Sequence, residues 1–251
     1  MAYAASLGET DPRYYDTSRE LLVHPLFPVC YEWPVSRPVR LIPPLAPHFP
    51  RLVHAEHDLV LHRAPRAGDR LATRVRIRSV ENRKPGAFVV FRFETRDAAG
   101  EPVSTTDFGV LYRGVAADGP DRGEPMRLEP AAEKWAQAGE IHVAANLAHV
   151  YTECARIWNP IHTDIAYARS AGLPGIILHG TATLALSISK ALGAFRVDPA
   201  QVRRVRCRFS GMVLMPSVLA LFASSTNNKI YFETRKSDGE PVIRRGSIEI
   251  R

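Results

Sequence analysis

Cysteine is scarce in this chain. Cys30, Cys154 and Cys207 are odd in number and widely separated. They supply neither a disulfide framework nor a paired metal-ligand spacing, which fits a reducing cytoplasm. Long apolar runs are missing too. The greasiest stretch, Gly175 to Leu192, carries His179, Thr181, Thr183 and Ser187 and follows Pro174, whereas a membrane-spanning helix needs about 20 apolar residues. The first residues show no basic run leading into an apolar one, so no signal peptide is expected. His54, His57 and His62 match no strong zinc signature, and no metal or other cofactor is expected. Arg and Lys outnumber Asp and Glu by 33 to 26, a formal charge of +7. The excess has no zinc-finger spacing or basic tail, so nucleic acid is not an expected partner. Many of these cations alternate with apolar residues, as in Val202 to Arg208, which suits the wet face of a strand.

The clearest feature present is an internal echo. Phe93-Glu94-Thr95-Arg96 precedes Gly100-Glu101-Pro102-Val103 with the spacing at which Phe232-Glu233-Thr234-Arg235 precedes Gly239-Glu240-Pro241-Val242. Each copy reads as strand, glycine-bearing turn, strand. Strands are expected at Asp58–Leu61, Arg70–Val80, Phe88–Arg96 and Pro102–Tyr112, then at Val202–Phe209, Val218–Ala223, Lys229–Arg235 and Pro241–Ile250. Ala116 to Glu140 is rich in Gly, Pro, Ala and charge and reads as a linker over the outside, with a short helix around Glu133–Ala138. The expected division is a first domain 1–122, a linker 123–139 and a second domain 140–251. The second half opens with a helix over Ala144–Ala155, then one over Ile165–Ala171 capped by Asp164 and stopped by Gly172. Thr181–Leu192 is apolar on nearly every side and ends at Gly193, so it must be enclosed, with the later strands curled around it.

Two stretches hold groups fit for chemistry. In Ile157-Trp158-Asn159-Pro160-Ile161-His162-Thr163-Asp164, Pro160 biases Asn159 to an extended backbone. An amide, an imidazole and a carboxylate thus share one irregular segment before a helix. In His179-Gly180, the Gly180 N–H is among the unpaired donors of a helix start, at the positive end of its dipole. Without a side chain, Gly180 admits a ligand carbonyl closely, which can make an oxyanion hole from backbone alone.

The run Asn159-Pro160-Ile161-His162-Thr163-Asp164, with Ala168, Ala171-Gly172 and Pro174 to Gly180, resembles the hydratase-2 motif of MaoC-like enoyl-thioester hydratases and dehydratases. The likeness extends from about Asn146 to Ile250, and the first half looks like the motif-poor partner domain of a double hotdog. That resemblance implies an α+β fold in which two curved antiparallel sheets each associate with a central helix. It also implies reversible hydration or dehydration of a 2-enoyl/3-hydroxyacyl thioester of coenzyme A or acyl carrier protein. By position, His162 would be the catalytic acid/base, Asn159 would help place water, and Gly180 would donate to the thioester carbonyl. Such double-hotdog chains are compatible with homodimers, and the expected location is the cytoplasm.

One position departs from the family pattern. Ile157 stands where the family has an aspartate working with the histidine on the same water. Glu153, one helical turn earlier, could replace that carboxylate. Alternatively His162 acts alone on an easy substrate, the site binds an acyl thioester without transforming it, or Glu153 activates water for thioester hydrolysis. Glu153 equally suits an exposed helix face, Asp164 a helix cap, and His179 a structural hydrogen bond. Trp158 could pack or line the cavity. Arg203, Arg204 and Arg206 could meet the phosphates of coenzyme A or simply face solvent.

Overall fold

Where β-branched and aromatic residues alternate with charged ones, the chain is extended, because such side chains suit a pleated surface with one wet face. The computed structural model describes residues 1–129 and 135–251. In chain order the strands are β1 (Leu52–Leu61), β2 (Ala72–Arg83), β3 (Gly86–Arg96), β4 (Pro102–Arg113), β5 (Arg122–Gly123), β6 (Ala136–Val143), β7 (Val202–Phe209), β8 (Ser217–Thr226), β9 (Lys229–Lys236) and β10 (Pro241–Ile250). They form one sheet in the spatial order β5-β2-β3-β4-β1-β7-β10-β9-β8-β6. The four strands next to the β1–β7 seam repeat on its two sides, β2-β3-β4-β1 on one and β8-β9-β10-β7 on the other. At the seam His57 lies opposite Cys207 and Leu59 opposite Val205, so the two expected sheets are fused by hydrogen bonds into one. This pairing covers an edge that each half would otherwise expose.

The echoed tetrapeptides occupy equivalent hairpins. Arg96 pairs with Pro102 and Thr95 with Ser104; Arg235 pairs with Pro241 and Thr234 with Ile243. Both ladders therefore slip by one residue at the same point, Val103 and Val242, a repeated β-bulge. β1 begins at Leu52, earlier than the expected Asp58, and carries its own irregularity between His54 and Glu56.

The helices are α1 (Ala2–Ser6), α2 (Pro28–Val39), α3 (Leu147–Ala155), α4 (Ile165–Ser170) and α5 (Gly180–Phe195). α5 packs against β6, β8 and β9, with Ala182, Leu184, Ala185, Ile188 and Ala191 fully buried. Each large aliphatic side chain so enclosed contributes about 1.5–3 kcal/mol. The fully buried Ser187 hydroxyl is paired: it donates to the Thr183 carbonyl and meets the Thr234 hydroxyl, each at 2.7 Å. α5 runs past the expected stop at Gly193 and ends where Arg196 turns left-handed, φ 54°. A lone glycine inside a buried helix costs about 1 kcal/mol, less than packing returns. α2 precedes β1 as α5 precedes β7, but it is shorter and contains Pro34 and Pro38.

The expected helix at Glu133–Ala138 is corrected in its described part. Ala136 begins β6, which pairs with β8 along its length; Glu133 lies outside the described residues. Upstream, the connecting segment crosses the outer face of the sheet. Met126 packs with Phe88 and Val90, and Glu129 accepts from Arg206 at 2.5 Å and Lys229 at 2.8 Å. Among the described residues, no helix is long and apolar enough to cross a membrane.

Candidate active site

α3, a short 3-10 turn and the start of α5 build the site. α3 buries Ala148, Tyr151, Thr152 and Ala155, a helical stripe on one face. It ends at Arg156 in the left-handed conformation, and Ile157, 5% exposed, turns inward. Asn159 then opens the 3-10 turn Pro160–His162 with an extended backbone (φ −143°, ψ 120°). Its side-chain oxygen faces the Ile161 N–H at 3.4 Å, and its carbonyl accepts from the His162 N–H at 3.0 Å. Asp164 caps α4 by accepting from the N–H groups of Ala166 and Tyr167 at 2.8 and 3.0 Å, as expected of a cap.

His162 is buried, and its Nδ1 lies 2.8 Å from the Ile177 carbonyl oxygen. A carbonyl only accepts, so Nδ1 carries the proton and Nε2 keeps its lone pair. Burial lowers the His162 pKa to about 4, the Ile177 carbonyl opposing in part, so the ring is neutral at pH 7. It stacks on His179, with centroids 3.7 Å apart and planes at 25°. His179 Nε2 lies 3.2 Å from both the Ile157 carbonyl and the Thr152 hydroxyl. The carbonyl again assigns the proton to Nε2, leaving His179 Nδ1 as a buried acceptor without a partner among the described residues. Burial first, and His162 second, push the His179 pKa well down. Two neutral imidazoles thus lie face to face, each held in one tautomer by a backbone carbonyl.

Tyr151 braces this pair, its ring centroid 5.0 Å from that of His179. Its hydroxyl donates to Thr181 Oγ1 at 3.1 Å. Gly180 opens α5, with its N–H in the unpaired first turn. A β-carbon there would stand 3.2 Å from the Phe209 ring, so the absence of a side chain lets that ring pack against the helix start.

The structure brings His162, His179, Ile157, Asn159 and the Gly180 helix start into one neighbourhood. It does not bring Glu153 there. Glu153 is exposed on the outer face of α3 and accepts from Trp158 Nε1 at 3.3 Å; no hydrogen bond or ion pair joins it to His162 among the described residues. Trp158 is itself 53% exposed, at the rim rather than in the interior. Arg204 and Arg206 are engaged within the protein, Arg204 on Asp58 in a two-pronged pair of 2.7 Å bonds and Arg206 on Glu129 and Glu249. Arg203 is exposed. Sequence reasoning missed the histidine stack and the bracing Tyr151. The signal for Tyr151 was its place on the same helical stripe as Ala148 and Ala155.

A ten-stranded sheet halved by a seam, with an enclosed helix and a buried histidine site in its second half, defines a double hotdog. Residues 129–243 match the family model described as a MaoC like domain, and residues 1–106 match one described as the FAS1-like, dehydratase domain region. The second half of the chain therefore carries a MaoC-like domain. The chain is similar to the peroxisomal multifunctional enzyme type 2 of Drosophila melanogaster, 26% identical over 210 residues that cover 81% of this chain and 35% of that one. The chain spans about a third of the length of such curated relatives. Among solved structures, a MaoC-like dehydratase from Phytophthora capsici superposes with a TM-score of 0.80 at 20% identity, covering 100% of this chain and 90% of that one. A conserved hypothetical protein of Mycobacterium tuberculosis, described as a double hotdog, gives 0.58 at 15% identity over 99% and 89%.

Proposed function

We propose that this chain adds water to a 2-enoyl thioester, or removes it from the 3-hydroxyacyl thioester, with His162 as the acid/base. The observation that carries this is the Nδ1 bond to Ile177, which presents a neutral, lone-pair-bearing Nε2 beside a helix start. The dehydratase description of the family matched by the first half, and the MaoC-like match of the second, support it. In the hydration direction, Nε2 takes a proton from water as the water oxygen bonds to C3. The electron pair of the double bond moves through C2 onto the thioester oxygen, where the Gly180 N–H stabilises it; one such donor is worth about 3 kcal/mol. The imidazolium then returns its proton to C2, restoring the thioester and the neutral ring. Asn159 orients the water. With Glu153 turned outward onto Trp158, His162 performs both transfers alone. The acyl carrier is coenzyme A or the phosphopantetheine arm of a carrier protein.

One observation favours a second reading, acyl-thioester binding without turnover. Ile157 is apolar and buried where the family has its aspartate, and loss of a general acid or base removes about 10²–10⁴ in rate. Incubation with enoyl, 3-hydroxyacyl and saturated thioesters, read by mass spectrometry, separates the two. Gain or loss of one water establishes the enzyme. Binding of thioesters by folded protein with no mass change to any of them establishes the binding protein and ends the hydratase reading. Cleavage of the thioester bond would instead indicate a hydrolase.

A further inference from the structure

Seven of the thirteen buried side-chain polar atoms that lack a hydrogen-bond partner among the described residues belong to Ser36, Arg40, His54, His57 and Tyr112, all in the first half. Ser36 lies one helical turn before Arg40, which caps the end of α2. His54 and His57 lie on β1, and Tyr112 on β4. Phe108 of β4 joins them: the His54 ring stacks on it at 3.5 Å, and the Arg40 guanidinium carbon sits 4.5 Å from its centroid. Arg40 is 4% exposed, and its Nε and Nη2 are both without a partner.

The neighbouring carboxylates are committed elsewhere. On α2, Glu32 accepts from Thr106 at 2.6 Å. On β1, Glu56 pairs with Arg83 at 3.0 Å and Asp58 with Arg204 at 2.7 Å. On β4, Asp107 holds Arg92 at 2.7 Å. None is bonded to Arg40. Burial lowers Arg40 only to about 10 and lowers His57 to about 4. At neutral pH the group is therefore one cation with two neutral imidazoles. Water can satisfy a buried N–H but cannot neutralise a charge, and natural structures pair buried charges.

Its position relates it to the thioester end of the site. The Phe209 ring lies 4.4 Å from the His54 ring and also covers the α-carbon side of Gly180. One aromatic ring therefore separates the helix start from the polar group, with Phe108 and Trp33 as apolar walls beside Arg40.

We infer that Arg40, with His54 and His57 beside it, binds a carboxylate at the far end of the acyl group, making the substrate the monothioester of a dicarboxylic acid. This rests on the reading that the thioester lies at Gly180. A planar guanidinium matches a carboxylate with two parallel N–H donors. A single positive charge balances one carboxylate and would leave a phosphate dianion uncompensated.

The test is calorimetric binding of thioester pairs that differ only at the far end: succinyl-CoA and butyryl-CoA, adipoyl-CoA and hexanoyl-CoA, suberoyl-CoA and octanoyl-CoA. At least one diacid is expected to bind about tenfold tighter than its neutral counterpart, or better, as a desolvated charge pair allows. Arg40→Met and Arg40→Gln should erase that preference while remaining folded, because each removes an unpaired buried charge. Neutral thioesters that bind with no diacid preference overturn this inference alone, as does a preference that survives both variants. Loss of fold in both variants marks Arg40 as structural and also overturns it. Free adipate binding as tightly as adipoyl-CoA would assign the group to a separate effector and refute the substrate class. If no thioester of either kind binds, the thioester reading itself fails and takes this one with it.

Discussion

Acidification should destabilise this protein through its buried histidines, and His162 allows the effect to be isolated. Burial lowers its pKa from 6.5 to about 4 in the folded state. Between those values the unfolded chain binds a proton that the folded chain refuses. Stability is therefore complete above about pH 6.5, falls as pH drops toward about 4, and falls no further below that. From these two values the loss due to His162 is about 2 kcal/mol at pH 5 and about 3 kcal/mol at pH 4. His57, at about 4, and His24, at about 3, titrate in overlapping windows, so the wild-type profile alone cannot assign the loss. His162→Gln removes the titration while its amide can still donate to the Ile177 carbonyl. Urea unfolding of both proteins at about pH 7.5 and about pH 5 gives the comparison. The stability advantage of wild type over the variant should shrink by about 2 kcal/mol on acidification. A difference that stays constant would mean that His162 titrates as an exposed imidazole, and the closed, neutral stack would be refuted.

His162→Ala should remove hydration activity by about 10²-fold or more, whereas Glu153→Gln should leave turnover of the same enoyl thioester nearly unchanged; a severe loss in folded Glu153→Gln would restore the replacement-carboxylate reading. Ile157→Asp should cost about 3 kcal/mol or more in unfolding free energy, from lost apolar burial and a desolvated carboxylate. In the same variant, initial rates of enoyl hydration should rise; a folded variant with no gain would show that position 157 does not face the reacting side of His162. Gly180→Ala places a methyl 3.2 Å from the Phe209 ring. Displacing the acyl carbonyl by about an ångström lowers kcat by about 10²-fold, so unchanged steady-state kinetics would remove Gly180 from the oxyanion role.

Much of the candidate site was legible because its signals are local. Pro160 restricts Asn159, and Asp164 caps the next helix through neighbouring N–H groups. Gly180 stands at a helix start wherever the chain is folded this way. Glu153 shows how far such reasoning reaches. One helical turn from Ile157 was compatible with a shared site, but α3 has only one buried face. The residues that claim it are Ala148, Tyr151, Thr152 and Ala155, which rotate Glu153 outward.

By itself the sequence determined the two repeated hairpins, the enclosed α5 and the segment carrying His162, since each follows from periodicity, turn residues or a short motif. Only the tertiary structure decided what those pieces meet. The stacking of His162 on His179 depends on α5 docking beside the 3-10 turn. The fusion of two sheets depends on β1 finding β7, and β6 is a strand because β8 offers it an edge. The unpaired Arg40 lay hidden for the same reason. Nothing near it in sequence reveals that Glu32, Glu56, Asp58 and Asp107 bond to other partners. Charge can be counted along a chain, but whether a charge is neutralised depends on distances in three dimensions.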